Sequence, residues 1–137
     1  MFIDLEDIDS NMITIDVRTK KEFKEMPLFQ YNIEIINEDE HKKIKKCYPI
    51  AFFIIFKALF HKRKSIKEEL IKLSENKKKE LIFGCSRGRL RSPSMYFYAR
   101  TLNIECFVLK KGIKRFFYKE NNGEGILTKI YNYITFK

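Results

Sequence analysis

Hydrophobic and polar residues follow short, regular patterns along the chain, and these patterns predict four β-strands. Residues 13–17 are a β-branched run, and residues 31–36 alternate apolar with polar side chains, as half-buried strands do. Residues 81–83 and 106–109 are continuous apolar runs, the pattern of strands buried on both faces of a parallel sheet. Each predicted strand is followed by a segment that favours a helix.

Helices are predicted mainly where a capping residue precedes apolar side chains at helical spacing. Three predicted helices begin with a capping box: residues 20–25 with Thr19 and Glu22, residues 38–47 with Asn37 and Glu40, and residues 66–76 with Ser65 and Glu68. A fourth, residues 93–103, is capped by Ser92 and begins at Pro93. Helices are also predicted for the apolar stretch 50–60 and for a tail that begins with residues 113–118. The stretch 50–60 is interpreted as a buried helix, because it is about half the length that a bilayer needs and contains Lys57.

Strands that alternate with helices predict an α/β fold with a central, mostly parallel sheet and helices on both faces. A length of 137 residues with 45% hydrophobic content suits one core, so we expect a single domain over residues 1–137.

The charge is strongly basic, with 28 Lys and Arg against 18 Asp and Glu and a formal net charge of +10. Such a field attracts phosphate backbones or anionic substrates. The alternative is a solvated lysine-rich surface, since much of the excess stands in short runs such as residues 61–64 and 77–79. Charge alone leaves both interpretations open.

The cysteines and histidines predict no metal site. Cys47, Cys85 and Cys106 are widely spaced and form no Cys-x-x-Cys pair, which favours a reducing compartment, and His41 and His61 are expected on basic, exposed faces without a second ligand. The acidic N-terminus lacks the pattern of a secretory signal, so we expect a cytoplasmic protein without a membrane. The chain contains no Gly-x-x-x-x-Gly-Lys motif, so nucleotide hydrolysis is not expected of this polypeptide alone.

The candidate chemistry lies in the loop between strand 81–83 and the helix that follows Ser92. Its residues are Cys85, Ser86, Arg87, Gly88, Arg89, Leu90 and Arg91. Ligands bind at the carboxyl edge of open α/β sheets, and a helix N-terminus there stabilises anions. The arginines also favour the thiolate of Cys85, which is the nucleophilic form. An arginine at a helix N-terminus opposes the helix dipole, so Arg91 is expected to have an anionic partner.

Each cysteine also has a purely structural interpretation, because free cysteines are often small buried hydrophobes. For Cys47 and Cys106 simple packing is the expectation. For Cys85 the combination of strand, arginine-rich turn, serine and proline-started helix favours an anion-binding nucleophile instead.

Several segments resemble the rhodanese family. Residues 16–23 are similar to its Asp-Val-Arg-x-x-x-Glu-Phe signature, Asn32-Ile33 to the Asn-Ile that follows, and residues 108–114 to its late Leu-x-Gly-Gly segment. Within that family, residues 85–92 resemble the Cys-x-Arg-Gly-Gly-x-Arg-Ser loop of the rhodanese domain of tRNA 2-selenouridine synthases. The run from Asn37 to His41, leading to Cys47-Tyr48, resembles a second segment of that domain.

The chain departs from this pattern at Arg89, Ser86, Lys111 and Pro49-Ile50, and we expect the P-loop domain of the full synthase to belong to a separate protein. The resemblance implies a rhodanese-like domain that works with a separate P-loop partner. That enzyme replaces the 2-thio sulfur of a wobble uridine in tRNA with selenium, through a geranylated intermediate. It uses selenophosphate or a sulfur donor as co-substrate and no permanently bound cofactor.

Under this resemblance Cys85 is the catalytic nucleophile, working as a persulfide or selenyl-sulfide. The loop N–H groups, Arg87 and Arg91 hold the anionic group, while Asp16, Arg18 and Ser92 support the loop. Three alternatives remain open: a stand-alone thiosulfate-type sulfurtransferase, a phosphatase-like enzyme with a Cys-x5-Arg loop but no obvious acid, and a rhodanese fold that serves only as a binding module.

Overall fold

In the described residues, the fold is built on a five-stranded sheet in which every strand pair is parallel. The computed structural model of the chain describes residues 1–46, 48–85, 90–110 and 112–113. Its strands are β1 (Phe2–Ile3), β2 (Ile13–Asp16), β3 (Tyr31–Asn32), β4 (Leu81–Gly84) and β5 (Cys106–Leu109), in the spatial order β1-β5-β4-β2-β3. The predicted α/β fold with a parallel central sheet is confirmed.

Five α-helices and two short 3₁₀ helices connect and cover the strands in the described residues. They are α1 (Lys20–Glu25), α2 (Glu38–Lys46), α3 (Ala51–His61), α4 (Arg63–Leu73), α5 (Arg91–Thr101), and the 3₁₀ helices Leu5–Asp7 and Tyr48–Ile50. Two predicted capping boxes are confirmed. Thr19 and Glu22 cap α1 reciprocally, and Asn37 and Glu40 do the same for α2 at 2.8 and 3.1 Å.

Three predicted element boundaries were wrong. The strand predicted to Ile36 ends at Asn32, because the side-chain amide of Asn32 turns back to the carbonyls of Asp16 and Arg18 and the chain then leaves the sheet. Helix α4 begins at Arg63, without a cap from Ser65, because it continues directly from the end of α3. Helix α5 begins at Arg91, one residue before its predicted cap.

The predicted buried helix, α3, is only half buried. Its inward face is formed by Ala51, Ile55, Ala58 and Leu59. Several aromatic side chains of the same helix face solvent, so the prediction of a buried helix was wrong for that face. An apolar run in the sequence predicts that a helix is hydrophobic, but it does not predict which other helices will cover each of its faces. Within the described residues no helix is long and apolar enough to cross a membrane.

The sheet separates two hydrophobic clusters. The larger contains the inward faces of α3, α4 and α5 packed on one side of β2 and β4. The smaller, on residues such as Ile82 and Leu109, is covered in the described part of the chain by Ile8, Leu28, Phe29 and residues near the 3₁₀ helix Leu5–Asp7. The helical tail predicted from Ile113 to Tyr118 lies outside the described residues beyond Ile113 itself.

Gly84, the last residue of β4, lies against a buried ring. A Cβ added to Gly84 would stand 2.7 Å from Cζ of Phe29 and 3.3 Å from Cδ1 of Ile113. We therefore expect Gly84→Ala to lower the free energy of unfolding by about 1–3 kcal/mol, as overpacking does. Urea unfolding followed by circular dichroism measures this change. Adding Phe29→Leu should recover part of the loss, and an unchanged unfolding midpoint in Gly84→Ala would contradict the steric argument.

Candidate active site at the carboxyl edge of the sheet

Cys85 follows β4 directly and is held at the carboxyl edge of the sheet. Strands β2 and β5 flank β4 on either side, both parallel to it. The carbonyl of Gly84 accepts a hydrogen bond from Val17 N at 2.9 Å, and the carbonyl of Cys85 accepts one from Ile113 N at 2.8 Å. The side chain of Cys85 is buried, with 3% exposure. The backbone around the sulfur is therefore fixed from two sides.

The first turn of α5 brings two further polar residues of the predicted site into the protein interior. Arg91 is buried and Ser92 is fully buried. Leu90, in the N-cap position, is half-buried and packs against the main core. Helix α5 is 11 residues long, and the N–H groups of its first turn form the positive end of the helix dipole. This end of the dipole makes the electrostatic potential at this edge of the sheet more positive.

Ser92 does not cap α5 as the sequence predicted. It lies within the first turn, and its Oγ is buried without a hydrogen-bond partner among the described residues. A buried hydroxyl in this state costs about 1–3 kcal/mol, which a hydrogen bond to a bound anion would recover. The position of Ser92 therefore favours an anionic ligand at the start of α5.

Arg91 is joined to the opposite side of the site by an ion pair with Glu22 of α1. Arg91 Nη1 donates to Glu22 Oε1 at 2.8 Å. The same carboxylate oxygen accepts from Thr19 N at 3.1 Å and from Thr19 Oγ1 at 3.2 Å. Glu22 thus supplies an anionic partner of the kind expected for an arginine that opposes a helix dipole.

His41 is the site residue whose position sequence reasoning missed. It was predicted on an exposed basic face, but its side chain is largely buried and Nδ1 lies 3.8 Å from Glu22 Oε1. The first turns of α1, α2 and α5 therefore meet at Glu22. The available signal was that both Glu22 and His41 lie in segments that resemble the family, although Glu22 was interpreted only as a capping residue and His41 only as an exposed one.

Asp16 and Arg18 form a buried pair at the end of β2, next to the strand that carries Cys85. Arg18 donates to Asp16 through its backbone N, Nε and Nη2, the last at 2.7 Å, and Nη2 also reaches the carbonyl of Met26 at 2.9 Å. Burial raises the pKa of the Asp16 carboxyl, and the hydrogen bonds from Arg18 oppose that rise. The pair orders the turn between β2 and α1, which positions Glu22.

Cys106 lies at the other end of the sheet from Cys85, since it begins β5 whereas Cys85 follows β4. Burial raises the pKa of the Cys106 thiol to about 12, so it remains a neutral thiol at physiological pH. Its Sγ donates to the carbonyl of Tyr96 at 3.7 Å. These features make Cys106 a packing residue.

The remaining predicted loop residues, Ser86, Arg87, Gly88 and Arg89, lie outside the described residues, as does Cys47. In the described part of the chain, no group of three or more His, Cys, Asp or Glu side chains is arranged to hold a metal ion.

Fold and site together define an all-parallel α/β domain with a buried cysteine at its carboxyl edge. The chain is similar to a crystal structure described as the "N-terminal domain of putative ATP/GTP binding protein from Clostridium difficile 630". The two share 25% sequence identity with a TM-score of 0.75, and the match covers 86% of this chain and 97% of that one. No protein-family model matches the chain, and no curated protein matches it.

Proposed function

We propose that this chain is a rhodanese-like transferase that accepts sulfur or selenium on Cys85 and passes it on. The observation that carries the proposal is the placement of Cys85 at the rigid end of β4, just before a helix whose first turn buries Arg91 and Ser92. Such an edge can hold an incoming anionic donor beside the sulfur of Cys85.

With thiosulfate as donor, the Cys85 thiolate attacks the outer sulfur atom. The bond between the two donor sulfurs breaks, sulfite leaves with the electron pair, and Cys85 becomes a persulfide. In the second step an acceptor nucleophile attacks the terminal sulfur and the Cys85 thiolate leaves. The N-terminus of α5 and Arg91 offset the negative charge of the donor during the first step.

The proposal extends to the particular reaction: the chain acts as the rhodanese half of a tRNA 2-selenouridine synthase, with a separate P-loop protein as partner. The segments that resemble that family include Glu22, His41, Cys85 and Arg91, four residues of the site. The similar Clostridium difficile domain is the N-terminal part of a protein described as a "putative ATP/GTP binding protein", and a nucleotide-binding partner is accordingly part of this proposal. The net charge of +10 suits a tRNA substrate.

Intact-mass spectrometry tests the proposal through its first covalent step. We expect incubation with thiosulfate to add one sulfur atom to the protein, with sulfite released. Cys85→Ser should abolish the adduct, because it removes the nucleophile. Cys106→Ser is the matched control and should leave the adduct unchanged, because the Cys106 thiol has a pKa of about 12 and lies at the other end of the sheet.

The absence of any Cys85-dependent adduct would contradict the proposal. Hydrolysis of an aryl phosphate that requires both Cys85 and Arg91 would replace it with the phosphatase alternative. The tRNA assignment is tested separately, by nucleoside analysis of 2-thiouridine tRNA incubated with geranyl diphosphate, selenophosphate and a P-loop partner. Release of sulfur to simple thiols without any change in tRNA would leave a stand-alone sulfurtransferase.

A further inference from the structure

Helix α3 presents a row of phenylalanine rings to solvent. Phe52 is 54% exposed, Phe53 75%, Phe56 47% and Phe60 62%. These four residues are called the aromatic face. The rings of Phe52 and Phe56 lie 4.5 Å apart between centroids, so neighbouring turns of the helix form one surface. Soluble proteins rarely expose such a group of large apolar side chains unless a ligand or partner covers it.

The stretch of chain that contains the aromatic face is basic. Residues 41–67 contain nine Lys and Arg and no Asp or Glu. Lys57 and His61 are exposed on α3 beside the rings. The guanidinium of Arg63 stacks over Phe60, with 4.0 Å between its Cζ and the ring centroid. Charge complementarity therefore requires an anionic partner with groups that pack on aromatic rings.

The basic surface also connects the aromatic face to the candidate active site. Helix α2 begins beside the site, where His41 approaches Glu22, and leads through the 3₁₀ helix Tyr48–Ile50 into α3. Beyond the acidic first turn of α2, where Lys42 pairs with Glu38 at 3.7 Å, Lys43 and Lys46 are exposed along the helix, which spans roughly 14 Å at 1.5 Å per residue. An extended polyanion bound along α2 would contact both regions.

We propose that the aromatic face binds a single-stranded segment of RNA, with bases stacked on the phenylalanine rings and phosphates held by the neighbouring lysines. Aromatic platforms combined with Lys and Arg are the general design of such sites. The stacked Arg63 argues against insertion into a membrane, because immersing Phe60 in hydrocarbon would take the guanidinium with it. The identity of this RNA as tRNA rests on the proposed function; the RNA surface itself rests on α2 and α3.

Fluorescence anisotropy with the full chain and a labelled, unstructured RNA of about 12 nucleotides tests this proposal. The informative variant is Phe53→Leu/Phe56→Leu, since leucine keeps the apolar surface but removes the ring needed for stacking. We expect its affinity to fall by about tenfold or more. The matched control Phe2→Leu replaces an equally exposed ring on the edge strand β1 and should bind as the wild type does. Circular dichroism confirms that both variants are folded.

A second variant, Lys57→Gln, should also weaken RNA binding. The slope of log affinity against log salt concentration should become less steep by about 0.7, because one phosphate contact is lost. Equal RNA affinity of wild type and the double leucine variant would overturn the proposal. So would binding to vesicles rich in phosphatidylserine, or self-association, in the absence of RNA binding.

Failure of this proposal and failure of the proposed function are distinguishable. Cys85→Ser should bind RNA normally, and the double leucine variant should still form the sulfur adduct. A wild-type protein that forms the adduct but does not bind RNA would overturn the RNA surface alone, whereas a wild-type protein that binds RNA but forms no adduct would overturn the transferase alone.

Discussion

Asp16→Ala is expected to lower the free energy of unfolding by about 3–5 kcal/mol, the typical result of removing one partner from a buried ion pair. Arg18 is buried, and its guanidinium and backbone N make four hydrogen bonds to the Asp16 carboxylate. Without that carboxylate the guanidinium charge stays buried with the carbonyl of Met26 as its remaining described acceptor. Urea unfolding monitored by circular dichroism gives the change in free energy.

Two further variants separate the buried charge from other effects. Asp39→Ala removes an exposed carboxylate from the first turn of α2 and should cost less than about 1 kcal/mol. The double variant Asp16→Ala/Arg18→Met removes both charges and should recover much of the loss, because an apolar pair can replace a buried ion pair. If Asp16→Ala alone were as stable as Asp39→Ala, the pair would not be structural.

The sequence predicted those parts of the fold that depend on neighbours in the chain. Thr19 with Glu22, and Asn37 with Glu40, are capping boxes over three residues, and both form as expected. The apolar strand β4 is buried along its whole length because its four residues face the interior on both sides of the sheet. In each case the deciding interaction is local or follows from hydrophobicity alone.

The features that were missed depend on distant parts of the chain. Strand β1 is only two residues long and exists because Phe2 and Ile3 pair with β5 more than 100 residues later. The Arg91 to Glu22 ion pair joins residues 69 positions apart. His41 enters the site only because α2 begins beside that pair. Neither composition nor periodicity contains this information.

The same distinction explains the exposed rings of α3. The apolar stretch 50–60 predicts a helix correctly, yet burial depends on which helices cover it. Helices α4 and α5 are placed against its inward face, while Phe53 and Phe60 remain on the outer one. The tertiary arrangement therefore turns an apparent core segment into a candidate binding surface.

Arg91→Ala is expected to slow formation of the Cys85 sulfur adduct by about 100-fold, the scale seen when one preorganised donor to a developing anion is removed. Arg91 is placed for this role by Glu22, which holds its guanidinium at 2.8 Å. Arg91→Lys should retain part of the rate, since it keeps the charge but loses the planar fork. Stopped-flow measurement of sulfite release from thiosulfate gives the rate constants.

Arg100→Ala is the matched control, because Arg100 ends the same helix in an exposed pair with Glu105 and should leave the rate unchanged. A second readout needs no sulfur chemistry: the ratio of Cys85 alkylation by anionic iodoacetate to that by neutral iodoacetamide. An anion-binding site raises this ratio, and Arg91→Ala should lower it while Arg100→Ala does not. Were both variants to keep the wild-type ratio and sulfite rate, Arg91 would serve only to hold α1 against α5, and the charge that receives the donor would have to come from elsewhere at this edge of the sheet.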